Sequence, residues 1–217
     1  PFLATTSGDW SASSVLDTAI VAGGTTSNPK KCRPTTGRVE VCSANYGGAW
    51  LGLAQIWVSG KHIYQATSKM NDFYFNKAKY NTPAWKQFVM CQEVGHAFGL
   101  DHQDEISNNA NLGSCMDYTN DPDGGVGGAS ATDPSNEHPN THDYDQLDTI
   151  YAHLEASISA VSKKFLAPAN TNANDIDTSD AKEWGKVIRK SNDGRSSLHE
   201  RDLGKGNKIF TFVIWAD

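Results

Sequence analysis

Between Cys91 and Glu105 the chain reads CQEVGHAFGLDHQDE, and no other stretch narrows its folding options so far. Thr82-Pro83 supplies a cap and a first-turn proline, so a helix is expected from Pro83 to about Phe98. At about 100° per residue, positions four apart fall about 40° apart on a helix, so Gln92 and His96 project together. Glu93 lies on an adjoining stripe, beside whatever that pair holds. Gly99 permits the left-handed backbone that ends the helix and turns the chain, letting His102 approach from a second direction. Three protein ligands and an open fourth position are the arrangement of a catalytic zinc site.

Elsewhere the patterning predicts a mixed α+β chain. Ser7 to Ala22 places Trp10, Val15, Leu16, Ala19 and Ile20 at helical intervals, with Gly23-Gly24 as the stop. Val39 and Val41 alternate with Arg38 and Glu40 as in a half-buried strand. Trp50 to Ser59 and His62 to Thr67 are two further strands joined by a turn at Ser59-Gly60-Lys61. Asp72 to Asn76 reads as a short aromatic strand or loop. Tyr118 to Thr141 is a long Gly/Asp/Pro-rich loop, and Asn140-Thr141 caps a helix with Tyr144, Leu147, Ile150, Tyr151 and Leu154 on one side. The expected organisation is a main domain over 1–158, a linker over 159–180 and a small C-terminal β unit over 181–217. That unit either packs on the main domain or stands apart, with turns at Asn192 to Gly194 and Leu203 to Asn207.

Composition removes several function classes. The formal charge of −6 over 217 residues gives no phosphate-binding surface, so nucleic acid is not expected as a partner. No apolar run approaches the ~20 residues that cross a bilayer; the longest, Ala49 to Val58, is broken by Gln55. A monomer outside the membrane is expected. The four cysteines fall into two local pairs, Cys32 with Cys42 and Cys91 with Cys115, suiting two disulfides and an oxidising compartment. Four reduced, buried thiols are the other reading. The chain opens at Pro1 without a leader, as a trimmed secreted form would.

QEVGHAFGLDH resembles the metzincin signature HExxHxxGxxH with its first histidine replaced by Gln92. SCMDY adds Met116 at the place of a methionine turn, and Tyr118, two residues on, resembles the tyrosine of astacin-like and serralysin-like members. The resemblance spans most of Pro1 to about Ala156 and leaves out the tail. It implies a twisted mixed sheet with an active-site helix and a C-terminal helix, zinc as cofactor and secretion. It further implies cleavage of protein or peptide substrates, with Glu93 as general base and Tyr118 at the oxyanion. By analogy, the strand within Gly60 to Ser68 would be the sheet edge against which a peptide lies. Adjacency suggests a Cys91–Cys115 bridge between the helix and the methionine turn.

Gln92 is the departure. An amide oxygen is a weaker zinc donor than imidazole, so three arrangements stay open. Gln92 ligates with His96 and His102; Asp101 or Asp104 completes the site; or no metal is bound and Gln92 is a packed polar residue. Calcium among Asp121, Asp123 and Asp133 is a weaker expectation. His62, His138, His142, His153 and His199 lack spacing partners and are expected in surface or core roles. The functions this set supports are a zinc endopeptidase, a zinc amidase acting on a non-protein amide such as a peptidoglycan cross-link, or a non-catalytic binding module.

Overall fold

A computed structural model of the chain describes residues 1–24, 28–126, 132–152 and 178–216. Four helices and six strands are present among them: α1 (Phe2–Trp10), β1 (Val39–Ala44), β2 (Trp50–Ser59), β3 (His62–Asn71), α2 (Asp72–Phe75), α3 (Pro83–Ala97), α4 (Thr141–Tyr151), β4 (Lys186–Lys190), β5 (Ser196–Gly204) and β6 (Asn207–Trp215). The fold is mixed α+β. Most of the 159–180 linker reading, together with His153 and Leu154, lies outside the described residues.

The strands form one open sheet in the order β1-β3-β2-β6-β5-β4, with β1 parallel to β3 and every other neighbour antiparallel. Trp50 to Trp57 of β2 are all buried, because β3 flanks one edge of that strand, β6 the other, and both faces are covered. The tail therefore continues the sheet of the main domain: Ser59 pairs with Asn207 at one end of the β2/β6 ladder and Trp50 with Trp215 at the other. The expected peptide edge within Gly60 to Ser68 is corrected for its later part: Ala66 to Ser68 lie between β1 and β2 and offer no free edge, whereas His62 to Gln65 pair with β2 and precede the β1 ladder, which starts at Ala66.

Helix α3 lies on one face of the sheet. Ala54, Ile56, Ala66, Ala97 and Phe212 form one cluster on that face, and Leu51, Met70, Val89, Val94 and Ile214 belong to a second. The opposite face carries Leu53, Trp184 and Val213, then Trp57, Tyr64 and Ile209. As expected, α3 starts at a Thr82 cap, whose Oγ1 accepts the Trp85 N–H at 3.2 Å, and closes at Gly99 with φ +94°. Asn140 and Asp143 cap α4 reciprocally, each side chain accepting the other's backbone N–H.

Two expected elements differ. The helix read over Ser7 to Ala22 is instead α1, nine residues ending at Trp10. Serine and threonine hydroxyls beyond it take the backbone groups that a helix would use. Ser11 Oγ accepts the Thr18 N–H at 2.9 Å, Ser13 Oγ accepts that of Val15, and Thr18 Oγ1 donates to the Ser7 carbonyl. Asp72 to Phe75, read as strand or loop, is one helical turn capped by Asn71, whose Oδ1 accepts the Phe73 N–H.

Both disulfides are formed, Cys32–Cys42 and Cys91–Cys115. The second ties α3 to the segment carrying Met116, which is fully buried against the helix. A Cβ at Gly95 would stand 2.5 Å from Met116 Sδ and 2.8 Å from Trp10 Cζ2. Gly95→Ala is therefore expected to destabilise the protein by about 1–3 kcal/mol through overpacking, read as a lower denaturant midpoint. An unchanged midpoint would mean that this contact gives way freely.

Candidate metal centre

Helix α3 and the turn at Gly99 bring two imidazole rings face to edge, with centroids 4.7 Å apart and planes at 76°. His96 Nδ1 lies 2.9 Å from the Leu100 carbonyl, which can only accept, so Nδ1 carries the proton and Nε2 presents its lone pair. His102 Nδ1 lies 3.2 Å from Glu105 Oε1, with the same consequence. The two Nε2 atoms then face each other at 3.1 Å. Two lone pairs at that distance repel unless a positive charge sits between them. Burial, and then His102, lowers the His96 pKa to about 3, so His96 stays neutral and its Nε2 offers a lone pair either to a metal ion or to an N–H of His102. Neighbouring nitrogens on one tetrahedral zinc stand about 3.3 Å apart for Zn–N of about 2.05 Å. The pair thus fits a shared metal ion.

Gln92, one turn before His96, is fully buried. Its Nε2 donates to the Cys115 carbonyl at 2.8 Å and approaches that of Asp117 at 3.4 Å, which orients the amide and leaves Oε1 buried without a protein partner. An orphaned oxygen on the His96 side of the helix suits a ligand in a way that a merely packed glutamine does not. Glu93 is also fully buried, and neither carboxylate oxygen has a protein partner. It lies under β2, where a Cβ at Gly52 would come within 2.4 Å of Oε1, so only glycine leaves it room. Burial without a neighbouring cation holds its pKa well above the usual glutamate value.

The turn after α3 gathers charge. Asp101, His102 and Glu105 each bring one donor atom within 4.8 Å of the others, and this cluster could hold a metal ion. Part of its donor capacity is already used. Arg189, from β4, pairs with both oxygens of Asp101 and brings Nε within 2.9 Å of Glu105 Oε1, without aiming an N–H along that line. Asp101 Oδ1 also accepts the His102 N–H at 2.8 Å. The second carboxylate weighed from sequence, Asp104, accepts the backbone N–H of Ile106 and the side chain of Asn109.

Tyr118 stands beside the histidines, its ring edge-on to His102 at 5.4 Å, and its hydroxyl donates to the Arg195 carbonyl. Phe212 of β6 stacks on His96, with centroids 4.2 Å apart and planes within 11°. No local pattern points to Phe212 or Arg189: neither has a spacing partner, and only the path of the tail brings them here. In the expected calcium loop, burial first and then Asp123 and Asp133 raise the Asp121 carboxyl, and no group of three His, Cys, Asp or Glu donors converges there among the described residues. Among the other described histidines, His138 meets Asp9, His142 approaches Asp143 and His199 meets Ser197. A cavity of about 280 Å³ lies across α3 between Trp10, Ile20, Glu40 and Phe98, and it does not reach the imidazole pair.

Comparison with protein families, curated proteins and solved structures finds no match to the chain. Among the described residues, no helix is long and apolar enough to cross a membrane.

Proposed function

We propose that the chain is a secreted zinc endopeptidase of the metzincin kind, with Gln92, His96 and His102 as the ligands. The observation carrying this reading is the pair of Nε2 atoms at 3.1 Å with both Nδ1 positions committed elsewhere. Zinc held there would supply the Lewis acidity to polarise a peptide carbonyl and to acidify a water molecule. Glu93, a carboxyl with no other partner, takes the water proton and passes it to the leaving amine. Glu105 keeps His102 in the tautomer that ligates, and Arg189 holds Glu105 and Asp101 in place. Tyr118, whose ring stands edge-on to His102, is assigned to the oxyanion when its hydroxyl is not bonded to Arg195. The same machinery would serve a zinc amidase.

A second reading is favoured by one observation. Gln92, Glu93 and His96 are all fully buried, and Phe212 covers the His96 ring, as in a closed metal site that shapes a binding module. Elemental analysis tests what both metal readings share, and chelator-sensitive cleavage of an unfolded protein separates them. Gln92→His is expected to tighten zinc binding by about 10- to 100-fold in a competition titration with a chromophoric chelator. An unchanged affinity would remove Gln92 from the ligand set. Protein that stays free of zinc after dialysis against it would end the proposal.

A further inference from the structure

An extended peptide binds a sheet by adding a strand to a free edge, its backbone pairing with the edge strand and its side chains filling pockets on either face. The strand that reaches His96 is β6, whose Phe212 stacks on the ring, and β6 sits on the outer edge of β2. That edge is taken along its length by β6, antiparallel, from Asn207 opposite Ser59 to Trp215 opposite Trp50. On the α3 side, β6 lays Phe212 flat on the His96 ring. The turn leading into β5 presents a backbone carbonyl, that of Arg195, to the Tyr118 hydroxyl. A bound peptide would bring the same three features: a strand on β2, a side chain over the ligand and a carbonyl at Tyr118. Resting on the zinc-peptidase reading above, we infer that the outer edge of β2 is the substrate-docking edge, and that the β5–β6 hairpin is its intramolecular occupant, which must leave before a peptide can enter.

Contacts outside the metal pair hold β4 and the turn before β5 in place, and β4 in turn pairs with β5 of the hairpin: Ser107 Oγ donates to Asp193 at 2.6 Å, and Arg189 reaches Asp101 and Glu105. On the far face Val213 and Ile209 are almost fully buried among Trp50, Leu53, Trp57 and Trp184. The closed form therefore dominates, and the apparent affinity for a peptide is lowered in proportion to the small open fraction.

The far face also allows a test that leaves the metal pair untouched. Gln55 and Thr211 are opposite each other on β2 and β6, Gln55 Nε2 donating to Thr211 Oγ1 at 3.0 Å, and alternation along the strand turns both away from α3. A Gln55→Cys/Thr211→Cys double variant locks the hairpin when oxidised. Val213→Ala, on the same face, loosens it. Zinc-loaded full-length forms are compared for cleavage of an unfolded protein, with zinc content and thermal midpoint recorded for each and wild type treated with the same mild reductant as reference. Cleavage is expected to fall by at least about tenfold in the oxidised lock and to return on reduction. In Val213→Ala it is expected to rise on the order of tenfold through the loss of two buried methyl groups. Zinc-loaded locked protein that cuts at the wild-type rate overturns the inference while leaving the metal assignment standing. So does a set of zinc-loaded forms that are all equally silent. Absence of zinc from every form brings down the metal assignment and the inference with it.

Discussion

Glu93→Gln is expected to lower peptide cleavage by at least about 10²-fold while zinc content stays the same, because the amide keeps the shape of the side chain and cannot carry the proton. Elemental analysis beside a cleavage assay reads both quantities; cleavage persisting at the wild-type rate would remove Glu93 from its assigned role. The same variant has a second signature in zinc-free protein. The Glu93 carboxyl is held well above its usual 4.5 by burial, so the folded state keeps a proton that the unfolded chain gives up. Its contribution is fully present below about pH 4.5 and is lost as the pH climbs from there towards the raised folded value. Zinc-free wild type should thus lose stability over that range relative to Glu93→Gln, and the gap between their denaturant midpoints should widen with pH. A constant gap would mean that the carboxyl is not desolvated.

Removing the Cys91–Cys115 bridge by a Cys91→Ser/Cys115→Ser double change is expected to lower stability by about 3 kcal/mol, the loop-closure effect for a separation of 24 residues. Zinc affinity should fall as well, since the Cys115 carbonyl is the 2.8 Å acceptor that orients the Gln92 amide. Chemical unfolding and a zinc competition titration check the two parts separately. Loss of stability with affinity intact would show that Asp117 alone suffices to aim Gln92.

What could be read from the linear chain was whatever has short-range causes. The cap at Thr82, the proline at the first turn, the turn at Gly99 and the one-turn spacing of Gln92 and His96 are all local, and α3 formed as they imply. The first helix ends at Trp10 although its apolar spacing continues, because Ser11, Ser13 and Thr18 draw the backbone into competing hydrogen bonds. Sheet order was out of reach. Nothing in KIFTFVIW says that it will lie beside Trp50 to Ser59, about 150 residues earlier, and so nothing foretold Phe212 on His96. Arg189 escaped for the same reason. Its carboxylate partners stand out in the DHQDE stretch, but which cation serves them depends on a distant strand.

The position of β6 has a consequence for synthesis. As the chain leaves the ribosome, β2 finds β3 within a few residues, but its other side waits until Asn207 to Trp215 have emerged. Until then a long apolar rim with unsatisfied amides faces solvent, a template for joining a second nascent copy. Chains terminated before residue 207 are therefore expected to collect as insoluble aggregates, even though every candidate zinc ligand has already been made.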